Sequence, residues 1–242
     1  MKKTTLITGA GRGIGLEIAK IFASKNENLI LIIRKSNQKR IIEKLMKNYN
    51  SQVKIFVGDL NNLNFIKKIG ETVKYVTTII NNASGENQKY FTDVTEKDLK
   101  EMVNVNLIAN FILTKIFVKK MIKKKIKGNV INIGSQLGKI GAYNRSVYCM
   151  AKFGIEGLTK ALAMDLGKHG IRVNSVSPTK TIVKKSEIKN SKRLNIIKKK
   201  IPLGKFSTTE EIAKIVYFLT TNSAGSITGT SIMSDGGWTA GK

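Results

Sequence analysis

The stretch Thr4–Gly15, TTLITGAGRGIG, decides the fold. TTLIT is a run of β-branched and apolar residues that reads as a strand. Gly9, Gly11, Gly13 and Gly15 follow it at once, and helical periodicity begins at about residue 14 and runs to 25. A glycine turn between a first strand and an amphipathic helix lets the backbone bend tightly and approach a pyrophosphate, which then sits at the positive end of the helix. The spacing Gly9-x-x-x-Gly13-x-Gly15 departs from the commoner G-x-G-x-x-G. Glycines alone mark only turns; their place between strand and helix is what points to a dinucleotide.

Outward from this turn, short β-branched runs alternate with longer helical patterns. The runs at 4–8, 29–33, 53–57, 77–81, 129–134, 171–177 and 230–234 read as strands. Helical periodicity occupies about 14–25, 37–48, 62–71, 98–124, 147–168 and 208–221. Alternating β and α with apolar strands predicts a parallel, doubly wound α/β sheet buried on both faces. No repeat or linker interrupts the pattern, so residues 1–242 are expected to form a single domain. A lysine-rich excursion at about 179–205 breaks the alternation and reads as a loop with short helices over the ligand end of the sheet.

The second strand ends in LIIRKS, with Arg34 where a carboxylate would bind the ribose 2′-hydroxyl of NAD. Arg12 lies inside the glycine turn. Two of only six arginines thus fall where a 2′-phosphate would lie, and NADP(H) is expected over NAD(H).

The formal net charge is +27, carried almost wholly by lysine. Such charge attracts anions, nucleic acid and acidic proteins among them. The lysines spread over most helices without forming one stripe, which reads as compositional bias. No basic-aromatic interleaving suggests base stacking, so nucleic acid is not the expected partner. The apolar runs are far shorter than a membrane span, no signal-peptide pattern opens the chain, and one cysteine excludes an intrachain disulfide. A soluble, cytoplasmic protein is expected.

TGAGRGIG, NNAS, NVNL, INIGS, YCMAK, RVNSVSP and ITGTSIMSDGGW occur in the order found in short-chain dehydrogenases/reductases of about 250 residues, and the chain resembles that family over nearly its whole length. The resemblance implies a Rossmann-type, seven-stranded parallel sheet with helices on both faces, hydride transfer between NAD(P) and an alcohol or carbonyl carbon, and a homotetramer or homodimer. It assigns catalysis to Asn106, Ser135, Tyr148 and Lys152. Cofactor binding is expected at Gly9, Arg12, Gly13, Ile14, Gly15, Arg34, Asp59, Leu60, Asn82, Ala83 and Pro178, with Tyr148 and Lys152 again, the resemblance adding Asp59, Asn82 and Ala83 to the glycine turn and its arginines. Gln136 and Arg145 fall on the substrate side. The C-terminal third is most similar to 3-oxoacyl-acyl-carrier-protein reductases, whose acidic carrier suits a basic surface. A sugar, polyol or hydroxy-acid dehydrogenase is the alternative, and a non-catalytic NADP- or nucleic-acid-binding protein a remote one. Three positions depart from the family pattern: Ser84 replaces the glycine of NNAG, Thr179 the glycine after Pro178, and Val183 a threonine, with Thr181 nearby.

Tyr148 and Lys152 are one helical turn apart, so the ammonium is expected to lower the phenol's pKa from its usual ~10. Asn106 is expected to position a water beside Lys152. Arg145 either holds a substrate carboxylate or phosphate, or faces solvent. Cys149 reads as a small helix residue, His169 as a solvated loop residue, and Trp238 as structural packing. No residue cluster suggests a metal. KKMIKKKIKG, 119–128, reads as the solvated end of the long helix, or else as a docking patch for an acidic partner.

Overall fold

The computed structural model describes residues 2–181 and 191–241. Seven parallel strands form one sheet in the order β3-β2-β1-β4-β5-β6-β7. They are β1 Thr4–Thr8, β2 Asn28–Ile33, β3 Val53–Val57, β4 Thr78–Asn81, β5 Asn129–Ile133, β6 Arg172–Pro178 and β7 Ser231–Ser234. The central strands are buried on both faces and the edge strands β3 and β7 are partly exposed, as near-continuous apolar runs require.

The helices are α1 Gly13–Ser24, α2 Asn37–Met46, α3 Leu63–Thr72, α4 Glu96–Val103, α5 Ala109–Lys123, α6 Ser146–Leu166, α7 Lys192–Lys199 and α8 Thr209–Thr220. One apolar cluster joins α1, α2 and α8 to the sheet through Phe22, Ile42, Val216 and Leu219. The other face joins α3, α5 and α6 through Ile66, Leu113, Phe117 and Leu166. The sequence order reverses between β1 and β4, which opens the crevice where doubly wound sheets bind ligands.

The long helix expected at 98–124 is interrupted. A π turn, Asn104–Ile108, separates α4 from α5. The stretch Glu96–Lys123 is long and apolar enough to cross a membrane by length and composition, yet Leu113, Phe117 and Met121 are core residues packed on the sheet. The 119–128 segment also differs from its expected solvated state. Lys120 Nζ donates to the carbonyls of Gly70 and Val73 at the end of α3, and burial holds its pKa below the ordinary lysine value. One cation thus satisfies the C-terminal carbonyls of a neighbouring helix. In the excursion after β6, Ser191 caps α7, while Val183 lies outside the described residues.

Candidate active site

Four neighbouring strands, β1, β4, β5 and β6, end at Thr8, Asn81, Ile133 and Pro178, and these ends, with Gly9, Asn82 and Ser135 just beyond them, form the floor of the site. Gly9 has φ +66°, and a Cβ there would stand 2.9 Å from Ala83 Cα. A Cβ on Gly15 would meet the Gly9 carbonyl oxygen at 2.4 Å. The turn is tied to β4: Asn82 Nδ2 donates to the Thr8 and Gly9 carbonyls, and the Asn82 and Ala83 amides donate to Thr8 Oγ1 at 2.9 Å each. Asn82 therefore holds the glycine turn through its side chain, a role beyond the ribose contact that the resemblance implies. α1 starts without a side-chain cap, whereas Asn62, Thr95 and Thr208 cap α3, α4 and α8. Its first N–H groups and the glycine cradle fit a pyrophosphate. The buried Thr179 Oγ1 and Gln136 Oε1, both without a hydrogen-bond partner, add polar capacity at the far side of the same end of the sheet. These features fit a nicotinamide dinucleotide.

Arg34 projects from the end of β2, largely exposed, with its Nε 3.1 Å from Asp59 Oδ2. Arg12 is exposed beyond the adjacent strand β1, Ile14 is half-buried in the first turn of α1, and Leu60 is buried. Gly13, in the left-handed region at φ +57°, opens α1.

On the other side of the crevice, Ser135 leaves β5 and accepts a hydrogen bond from the Leu137 amide at 3.1 Å. Its hydroxyl acts to lower the pKa of the phenol of Tyr148, which stands in the first turn of α6. Lys152, one turn on, is buried, donates from Nζ to the Ile133 carbonyl at 2.8 Å, and lies 5.5 Å from the Tyr148 ring centroid. Burial brings its pKa down to about 8, against an opposing pull from Glu156. Asn106 occupies the π turn, fully buried. It donates from Nδ2 to the Gly85 and Met102 carbonyls at 3.1 and 2.8 Å, while its own carbonyl accepts from Asn110 Nδ2. The amide hydrogens of Asn106 are thus committed within the chain, and its Oδ1 accepts from Ser84 Oγ at 2.5 Å.

Two expectations are corrected. The surroundings hold the Tyr148 phenol above its ordinary pKa, not below it. Burial raises it first and the Glu86 carboxylate also does so, against hydrogen bonds from Ser135 and Ser84 and the charge of Arg145. Arg145 does not face solvent: its guanidinium is 2.6 Å from Glu86 Oε1 and donates to the Asn87 carbonyl and Gln88 Oε1, with only 16% of the side chain exposed. An exposed carboxylate nearby neutralises the cation, and only folding brings the two together.

A buried polar ladder escaped sequence reasoning. Asn81 Nδ2 donates to Thr114 and Asn132, and Asn132 donates to Thr159, which bolts β4 and β5 to α5 and α6. Its sequence signal is an asparagine inside each apolar strand, TIIN and NVIN. Glu156, buried and receiving hydrogen bonds from Ser175 and Ser177 on β6, was also missed; it lies four residues after Lys152. Trp238 packs with Ile201 and Phe206, His169 closes an exposed turn after α6, and Cys149 is half-buried.

A family model described as Enoyl-(Acyl carrier protein) reductase matches residues 9–239. The 3-oxoacyl-[acyl-carrier-protein] reductase FabG of Buchnera aphidicola subsp. Baizongia pistaciae is 36% identical, covering 98% of this chain and 97% of that protein. Among solved structures, a candidate NAD(P)-dependent gluconate 5-dehydrogenase of Beutenbergia cavernae with bound NADP superimposes with a TM-score of 0.91 at 26% identity, covering 98% of this chain and 97% of that one. A 4-hydroxyisoleucine dehydrogenase complexed with NADH does so at 0.90 and 30% identity, with both chains fully covered.

Proposed function

This chain belongs to the short-chain dehydrogenase/reductase family and is a nicotinamide-dependent oxidoreductase of CH–OH and C=O groups; from that premise we propose that it uses NADPH to reduce 3-oxoacyl groups borne by an acyl carrier protein. The observation that carries the reading is the meeting of Ser135, Tyr148 and Lys152 across the crevice from the Gly9–Gly15 cradle. Arg12 and Arg34, beyond the ends of β1 and β2, favour the 2′-phosphate of NADPH. The name of the Buchnera relative and the charge of +27, suited to an acidic carrier, favour the acyl substrate. Arg145 is paired with Glu86, which weakens its part in the case for a sugar or hydroxy-acid substrate, while Thr179 still departs from the acyl-reductase pattern.

NADPH, when bound, supplies the hydride that the carbonyl carbon receives. Ser135 donates its hydroxyl hydrogen bond to the carbonyl oxygen and stabilises the developing alkoxide. Tyr148 donates the phenolic proton to that oxygen. The Lys152 ammonium gives one hydrogen to the Ile133 carbonyl and keeps two for the ribose hydroxyls, while its charge favours the phenolate left behind.

The partner expected beyond the substrate is a second copy of the chain. A shallow cavity of about 430 Å³, lined by Leu107, Ile108, Phe111, Gly154 and Leu158, opens where α5 meets α6, beside the half-exposed Phe153. Such an apolar face supports a homo-oligomer.

A screen of NADPH and NADH oxidation with acetoacetyl thioesters, keto-sugars and 2-oxo acids tests the reading. The thioester with NADPH is expected to turn over fastest, and Tyr148→Phe to lower kcat by about 10³-fold with NADPH binding kept. Wild-type turnover by that variant would remove Tyr148 from the mechanism.

A further inference from the structure

A side chain from α2 covers the glycine turn at one point. A Cβ built on Gly11 would collide with the side-chain oxygen of Gln38, and would stand 2.6 Å from its Cδ and 2.9 Å from its Nε2. The Gln38 carboxamide therefore lies directly on the turn. Its polar atoms are uncommitted: the half-buried Gln38 side chain forms no hydrogen bond among the described residues.

The helix aims it there. Gln38, Ile42 and Met46 are spaced four apart in α2 and share one face. Ile42 and Met46 are buried in the cluster that joins α1 and α2 to the sheet. Gln38 is the polar first member of that inward stripe, and it arrives where the strands end. β1 and β2 run in register from Thr4↔Asn28 to Thr8↔Ile32, and the Ala10 amide donates to the Ile32 carbonyl at 3.2 Å. This brings Gly11 and Arg12 to the same corner of the sheet as Arg34, whose Nε is 3.1 Å from Asp59 Oδ2.

We propose that Gln38 is a specificity-determining residue for the cofactor: its Nε2 donates to the 2′-phosphate of NADPH as a neutral third group beside Arg12 and Arg34. The inference rests on the NADPH reading above. The two arginines supply charge, which any phosphate attracts. The carboxamide supplies directed hydrogens without charge, so it discriminates by position. A glutamate of the same shape would accept from a ribose 2′-hydroxyl and repel a 2′-phosphate, which makes this position a switch between the two cofactors. Gly11 belongs to the same device. Its φ lies outside the left-handed region, so alanine fits the backbone there, but the new methyl group displaces the Gln38 tip.

The test is isothermal titration calorimetry with adenosine 2′,5′-bisphosphate and with 5′-AMP, which differ only in the 2′-phosphate. The proteins are wild type, Gln38→Ala, Gln38→Glu, Gly11→Ala and the Gly11→Ala/Gln38→Ala double variant. Wild type is expected to prefer the bisphosphate. Gln38→Ala should weaken bisphosphate binding about tenfold and Gln38→Glu about 100-fold, with 5′-AMP held within about twofold in both. Gly11→Ala should match Gln38→Ala, and in the double variant it should add no further loss. Unchanged bisphosphate binding in Gln38→Ala and Gln38→Glu would overturn the inference. So would an equal loss for both ligands, the mark of a purely structural role, or losses at positions 11 and 38 that simply add. A wild type that binds the two ligands equally would remove the NADPH reading itself and the inference with it, an outcome distinct from a wild type that keeps its preference while Gln38 proves silent.

Discussion

Lys152 is a buried ammonium, and its environment sets the pH range in which it keeps its charge. Burial lowers its pKa to about 8 and the carboxylate of Glu156, four residues further along the same helix, pulls the other way. The charged form is populated below that value and lost above it. For carbonyl reduction, kcat/KM is therefore expected to fall as pH rises through about 8. Glu156→Gln removes the opposing carboxylate and should move that limb to lower pH, which a pH–rate profile of both proteins reads directly. A limb that stays in place would show that Glu156 serves only its hydrogen bonds to Ser175 and Ser177. The Tyr148–Lys152 spacing was legible as one face of a helix. The direction of the tyrosine shift was not, because burial and the approach of Glu86 depend on segments far away in the chain.

Among the elements, α8 and α4 begin with capping boxes. In α8, Thr208 Oγ1 accepts from the Glu211 amide at 3.1 Å and the Glu211 side chain accepts from the Thr208 amide at 2.8 Å. Two orphan N–H groups are satisfied reciprocally, and α8 lies at the core beside α1 through Ile212 and Val216. Thr208→Ala should reduce stability by about 1 kcal/mol, seen as a thermal midpoint lower by about 2–4 °C, with kcat unchanged. A midpoint equal to wild type would mean that the packing on α1 holds this turn without the cap. The site helix is governed differently. Continuous periodicity over 98–124 suggested a single helix, but the π turn at Asn104–Ile108 interrupts it and buries Asn106. Hydrophobic period alone does not reveal a one-turn change in hydrogen-bond register.

At the scale of the whole molecule, the unfilled apolar cleft between α5 and α6 predicts assembly. Phe111, 45% exposed at its edge, is the residue to change. Phe111→Lys should shift the protein to smaller species in analytical ultracentrifugation, and an unaltered sedimentation profile would assign the interface elsewhere. The sequence by itself determined the seven strands and the glycine turn, because strand period, turn chemistry and the strand-to-helix switch are written over a few neighbouring residues. The edges of β1 and β3 coincide with those read from TTLIT and VKIFV, and the other strands agree to within a residue at each end. The tertiary structure alone decided the wiring of the site. Ser84 meets Asn106 across 22 residues, Lys120 reaches Gly70 across 50, and Arg145 reaches Asn87 across 58. No local pattern encodes such pairs. Each exists because the order of strands in the sheet carries distant loops to the same end, where a buried donor is stable only once it finds an acceptor.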